Sequence, residues 1–129
     1  RLPPSLQCPA LEELLLSSND LSEVPSCLQS MRGLRSLSLD YNELTALPEW
    51  VCSTLTRLSS LDVSGNALQQ LPHTFGSGCL SSSLAVLQAT SNALTTLPSS
   101  FSRLRYVCGG CHVLFAESTM LCITQALAH

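Results

Sequence analysis

The stretch YVCGGCHVLF, residues 106–115, places two residues between Cys108 and Cys111, with His112 directly after the second. That order of side chains can do two kinds of chemistry. A C-x-x-C-H run is the attachment pattern of a covalently held haem, and thiolates plus an imidazole are zinc ligands. A haem also needs a second axial ligand and an apolar pocket, and no helical cytochrome scaffold is legible around residues 106–115. Zinc fits better, with Cys108, Cys111, His112 and Cys122 as ligands. Structural zinc sites with strong sequence signals pair two such knuckles, however, and adjacent Cys and His rarely hold one ion together. The remaining reading is a set of small thiols packed into an irregular end of the chain, with no cofactor and no metal. On that reading, replacing Cys108 and Cys111 by Ser costs no more than a few kcal/mol and the fold ignores chelators, since a structural zinc contributes about 10 kcal/mol or more to folding. Elemental analysis of the purified chain checks this, and one zinc per chain with a chelator-sensitive fold would overturn it.

No other constellation suggests catalysis. The histidines His73, His112 and His129 sit in no nucleophile–base grouping, and the chain has neither a phosphate-cradling Gly loop nor an HExxH motif. Serines are plentiful but fall where a small polar residue costs nothing. The expectation is a protein that is not an enzyme.

Composition narrows the classes further. A chain of 129 residues with 45% hydrophobic and 12% charged residues suits one globular domain with a sizeable core. A formal charge of −3 with six basic residues offers no field for a phosphate backbone, so no nucleic-acid partner is expected. No apolar run approaches the ~20 residues that cross a bilayer, so no membrane insertion is expected either. The opening RLPPSLQCPA has no signal-peptide core and starts in the middle of a longer pattern, which leads us to expect chain before Arg1.

That pattern appears when the chain is aligned with itself. From Leu11, Leu34, Leu58 and Leu84 run LEELLLSSNDLSEVP, LRSLSLDYNELTALP, LSSLDVSGNALQQLP and LAVLQATSNALTTLP. Leu recurs at positions one, four and eleven, an aliphatic or Ala at six, Asn at nine, and Leu or Val followed by Pro at fourteen and fifteen. Asn19, Asn42, Asn66 and Asn92 mark successive copies. The alternation x-Leu-x-Leu-x is that of a short strand with one buried face. The Asn amide carries donors and an acceptor for backbone groups of adjacent coils, which assigns that column to structure rather than to ligand binding. Leu-Pro then turns the chain away from the strand, and Leu28, Val51, Phe75 and Phe101 three positions on cover the core from the outer side.

The pattern resembles the leucine-rich repeat family in its ~23-residue Leu-Pro form. The resemblance implies an α/β solenoid with short parallel strands on a concave face and an irregular or helical outer side, in about four full repeats plus a partial one. Residues 1–10 then form the tail of a preceding repeat, with Leu2-Pro3 in the place of Val24-Pro25; residues 11–106 are the repeats, and 107–129 a degenerate repeat or C-terminal cap. A fifth repeat counted from Val107 fails on Gly110, His112 and Phe115, whereas one counted from Leu104 is tolerable with a shortened predecessor. The tail ESTMLCITQALAH reads as a capping helix with Ser118 or Thr119 at its start, shielding an open end. Inside the array, Ala89 takes a column filled elsewhere by Leu16, Leu39 and Val63, a local packing deficit, and GSGCLSSS at 76–83 is an outer loop. Trp50, on the outer side, packs across coils or anchors a partner.

Positions two, three, five, seven and eight face outward on this reading, giving a small, polar and mildly acidic concave surface. The family resemblance implies that such a face receives a protein partner, with Glu13, Leu15, Arg35, Ser38, Asp40, Tyr41, Asp62 and Gln88 as the contact residues and Leu15 and Tyr41 as anchors. It also suggests a scaffold in intracellular signalling, or the repeat segment of a larger kinase, phosphatase or ubiquitin ligase. Seven cysteines, an odd number of which Cys8, Cys27, Cys52 and Cys79 fall about one per repeat, and no N-x-S/T sequon point to reduced thiols in the cytoplasm, or in the nucleus.

Overall fold

The computed structural model describes residues 2–3, 5–74, 84 and 86–94, together with the backbone of 112–114. Five three-residue strands, β1 (Glu13–Leu15), β2 (Ser36–Ser38), β3 (Ser60–Asp62), β4 (Val86–Gln88) and β5 (His112–Leu114), form one parallel sheet in sequence order. The register aligns position four of each repeat, Leu14, Leu37, Leu61 and Leu87, so a single column of leucines runs through the sheet. The chain must therefore make one full coil between successive strands, and each coil buries its leucine face on the next.

β5 corrects the sequence-based register at the end of the chain. Val86 pairs with His112 and Leu87 with Val113, which puts position one of this coil at Gly110 rather than at Leu104 or Val107. The sequence pattern hides this repeat because Gly110, Phe115 and Ser118 stand where Leu, a smaller aliphatic and Asn stand in other coils. Cys108, Cys111 and Cys122 and the proposed capping helix lie outside the described residues, as does the loop at 76–83.

The leucine columns make up most of the core, with Cys27, Met31, Val51 and Cys52 added from the outer side. Leu34, Leu37, Leu39 and Leu44 of the second coil and Leu58, Leu61, Val63 and Leu68 of the third are all essentially inaccessible. Leu11, Leu14, Leu16 and Leu21 hold the same places in the first coil but are only half-buried, because no described coil covers their other side. Ala89 is buried in its column. On the outer side, Pro25 precedes a 3₁₀ turn, Ser26–Ser30, and Pro48 and Glu49 precede a short helix α1, Trp50–Thr54. Leu28, Val51 and Cys52 from these segments close the core, and Trp50 packs against it half-buried, the packing alternative of the two weighed for it.

Asparagine and carboxylate side chains tie the coils together away from the sheet. Asn42 Oδ1 accepts the Asn19 and Leu21 backbone N–H groups of the preceding coil at 2.8 and 3.0 Å, while its Nδ2 donates to the Leu16 carbonyl at 2.9 Å and to the Leu39 and Asp40 carbonyls. Asn66 and Asn92 repeat the arrangement one and two coils on, accepting from the Leu44 and Leu68 N–H groups. The column is structural, as its spacing suggested. Glu49 makes an outer clasp that the sequence did not announce: its carboxylate accepts the Thr74 hydroxyl at 2.7 Å and the His73 N–H at 3.1 Å.

Candidate protein-interaction face

Each coil delivers its outward side chains from the strand and the turn after it. At positions three and five the strand alternation turns Glu13 and Leu15 out fully, and Ser36, Ser38, Ser60, Asp62, Val86 and Gln88 out partly. At position two, Arg35 and Glu12 project from neighbouring coils with Nε and Oε1 3.7 Å apart, both well exposed. A pair so open to water adds little stability, so its weight lies in balancing charge on the face.

Position seven is not a free outward column, contrary to the sequence reading. Ser64 is buried, and Asp40 and Thr90 are half-buried. The reason is that these side chains bond to one another across coils. Ser17 Oγ lies 2.9 Å from Ser38 Oγ and donates to Asp40 Oδ1 at 2.6 Å, Ser38 donates to the same oxygen, and Thr90 Oγ1 meets Ser64 Oγ at 3.1 Å. Burial alone works to raise the Asp40 pKa, but the Ser17 and Ser38 hydroxyls outweigh it and hold the carboxyl below its ordinary range. Asp40 is thus an ordered anion in the middle of the surface.

Position eight turns sharply. Ser18, Tyr41 and Ser91 have φ of 56°, 54° and 55°, and Gly65 has 66°, all in the left-handed region. Only glycine occupies that region freely; for Tyr it carries a strain of roughly 1–2 kcal/mol. Nothing in the residue types at this column except Gly65 signalled the turn. Tyr41 is 64% exposed and Leu15 65%, and they are the large hydrophobic side chains most open to solvent among the described residues.

The eight residues singled out from the sequence, Glu13, Leu15, Arg35, Ser38, Asp40, Tyr41, Asp62 and Gln88, lie on four adjoining strands and the segments beside them, with Glu13 and Leu15 on β1, Ser38 on β2, Asp62 on β3 and Gln88 on β4. Ser17 and Gly65, which sequence reasoning passed over as contributors, position Asp40 and Tyr41. Chemically the face offers carboxylates, hydroxyls and the exposed side chains of Leu15 and Tyr41. Cys52 on the other side is inert: burial, only partly offset by the Thr74 hydroxyl, pushes its thiol up to about 11. Among the described residues no group of His, Cys, Asp and Glu side chains is arranged to hold a metal ion, and no helix is long and apolar enough to cross a membrane.

A parallel sheet grown one strand per 23- to 26-residue coil, with a leucine core and an asparagine column, defines a repeat solenoid. Residues 9–68 match the leucine rich repeat family model, and the chain belongs to the leucine-rich repeat family. It is similar to a probable serine/threonine-protein kinase of Dictyostelium discoideum, 47% identical over 62 residues, which are 48% of this chain and 5% of that protein. It also matches the leucine-rich repeat and fibronectin type-III domain-containing protein 4 of Rattus norvegicus, 43% identical over 63 residues, 48% of this chain and 10% of the relative. Toll-like receptor 3 of Boselaphus tragocamelus is 34% identical over 92 residues, 68% of this chain and 10% of the receptor. The chain thus spans a tenth or less of the length of these relatives. A domain of this family is a protein–protein interaction domain in its general class.

Proposed function

We propose that the chain is a non-catalytic module that binds a protein partner on the concave face through Glu13, Leu15, Arg35, Ser38, Asp40, Tyr41, Asp62 and Gln88. The observation that carries this reading is the exposure of Leu15 and Tyr41 on one face, while every other leucine among the described residues is buried or half-buried. Aromatic and aliphatic side chains left open in this way mark interaction sites. The four full repeats and the partial one present this face, and their outer side serves to close the core. We assign the module to intracellular signalling, in the cytoplasm or nucleus; the free thiols of Cys8, Cys27 and Cys52 support that compartment. The similarity to a probable kinase over the repeat region favours a second reading, in which the module is the binding segment of a larger signalling enzyme.

A photo-crosslinking amino acid placed at Leu15 or Gln88 tests the face, with one at Gln29 on the outer 3₁₀ turn as the comparison. Adducts from the concave positions and none from Gln29 are expected in cell extract, and Leu15→Glu is expected to weaken retention of the crosslinked partner about tenfold or more, the effect of losing an interface anchor. Adducts from Gln29 alone would overturn the assignment.

A further inference from the structure

The Tyr41 ring is held in place by what Gly65 lacks. A Cβ on Gly65 would lie 2.6 Å from Tyr41 Cδ1 and 2.9 Å from Cε1, so the ring rests directly on the glycine backbone of the next coil. The backbone of Tyr41 is fixed as well, by its left-handed φ and by a 2.8 Å bond from its N–H to the Ser64 carbonyl. A side chain 64% open to solvent thus has its position set from behind, which leaves its outer surface available without further ordering. The same left-handed φ recurs at Ser18, Gly65 and Ser91, so the path of the coil itself sets the direction in which the ring is presented.

The surroundings of the ring favour a cation. Asp40 precedes it, ordered by two hydroxyls, and Asp62 lies behind Ser64, whose N–H its carboxylate accepts at 3.0 Å. Glu12 and Glu13 add negative charge at the first coil, and Arg35, the one basic residue in the outward strand columns, is already set against Glu12. Leu15 and Asp62 share position five two strands apart, about 10 Å, the span of three residues of extended chain.

We propose that this face takes a basic segment of a partner protein, an Arg or Lys seated on the Tyr41 ring between Asp40 and Asp62, with an aliphatic residue of the same segment against Leu15. This rests on the concave face being the binding face and specifies what it selects. Cation–π contact and carboxylate pairing act together there, and the charge on the face repels acidic segments.

The test uses fluorescein-labelled octapeptides of alternating Leu with Arg, Gln or Glu, titrated with the whole chain and followed by fluorescence anisotropy. The Leu-Arg peptide should bind about tenfold or more tightly than Leu-Gln, with Leu-Glu weakest, and the preference should shrink as salt is raised. Tyr41→Ala should weaken Leu-Arg binding about tenfold, Tyr41→Phe should leave it within about twofold, and Gly65→Ala, which moves the ring without altering charge, should weaken it several-fold. Thermal melts of each variant confirm that the leucine core is intact. Equal binding of Leu-Arg and Leu-Gln would overturn the proposal, as would a loss from Glu23→Gln, at an exposed carboxylate two residues before Pro25 and outside the outward strand columns, as large as from Asp62→Asn. Concave crosslinks obtained with either result would leave the binding face standing and remove only its preference for a cation.

Discussion

Leu37→Ala should destabilise the chain by about 2–5 kcal/mol, and Leu61→Ala by the same, while Leu14→Ala should cost clearly less. All three residues occupy position four and are aligned across β1, β2 and β3. Leu37 and Leu61 are 1% and 0% exposed, each pressed between two coils, so truncation leaves a cavity that neither neighbour can fill without breaking strand register. Leu14 has a coil on one side and is already half-open to water. In an array where every coil contacts only its neighbours, a weakened interface at the second or third coil lowers the stability of the whole stack, whereas damage at the first frays one end. Urea melts of the three variants check the ranking. A Leu14→Ala variant as damaged as Leu37→Ala would mean that the first coil's other side is covered after all.

The same column logic explains why so much of the fold could be read from residue types. Position four must be apolar because the parallel register repeats it in every strand, and position nine must be Asn because the side chain has to accept from one coil and donate to two carbonyl sets at once. Those demands come from the backbone, so they recur, and recurrence is visible. What did not recur was invisible. The coil of β5 replaces Leu at position one with Gly110 and Asn at position nine with Ser118, and its strand was found only through pairing with Val86–Gln88.

The candidate face was half legible for a related reason. Alternation gave the outward direction of Glu13, Leu15, Ser38, Asp62 and Gln88, since it depends on the strand alone. Position seven lies past the strand end, and its burial depends on which side chain stands in the next coil: Asp40 sinks because Ser17 and Ser38 offer hydroxyls to it, and Ser64 because Thr90 lies against it. The left-handed turn at position eight is likewise a property of the coil path. Ser18, Tyr41 and Ser91 adopt it although none is a residue type that seeks it, and only Gly65 carries a trace of it in its identity. The Glu49 clasp onto Thr74 and His73 joins the segments that follow Pro48 and Pro72, one repeat apart, but the residue type after the Pro differs from repeat to repeat, so the pattern does not foretell it.

Asn42→Ala should cost about 3 kcal/mol without touching the concave chemistry, and Asn19→Ala, the same substitution at the same position of the first coil, should change stability by less than about 0.5 kcal/mol. Asn42 is buried, and its removal leaves two backbone N–H groups and the Leu16 carbonyl without that partner, while the Leu39 carbonyl keeps the bond from Asn66 Nδ2. Each unsatisfied buried group carries roughly 1–3 kcal/mol, reduced here because Asn19 and Leu21 lie near the surface. Asn19 is exposed, and its side chain donates only to the Ser17 carbonyl of its own turn at 3.0 Å. Asn42→Asp adds a sharper comparison. The carboxylate keeps the acceptor for the Asn19 and Leu21 N–H groups but sets a second oxygen against three carbonyls, so it is expected to be worse than Ala at neutral pH and to recover partly on acidification, when a protonated Asp can donate once. Chemical melts at neutral and acidic pH read all of this. Equal losses at Asn42 and Asn19, or lost partner binding with unchanged stability, would move the asparagine column from architecture to recognition.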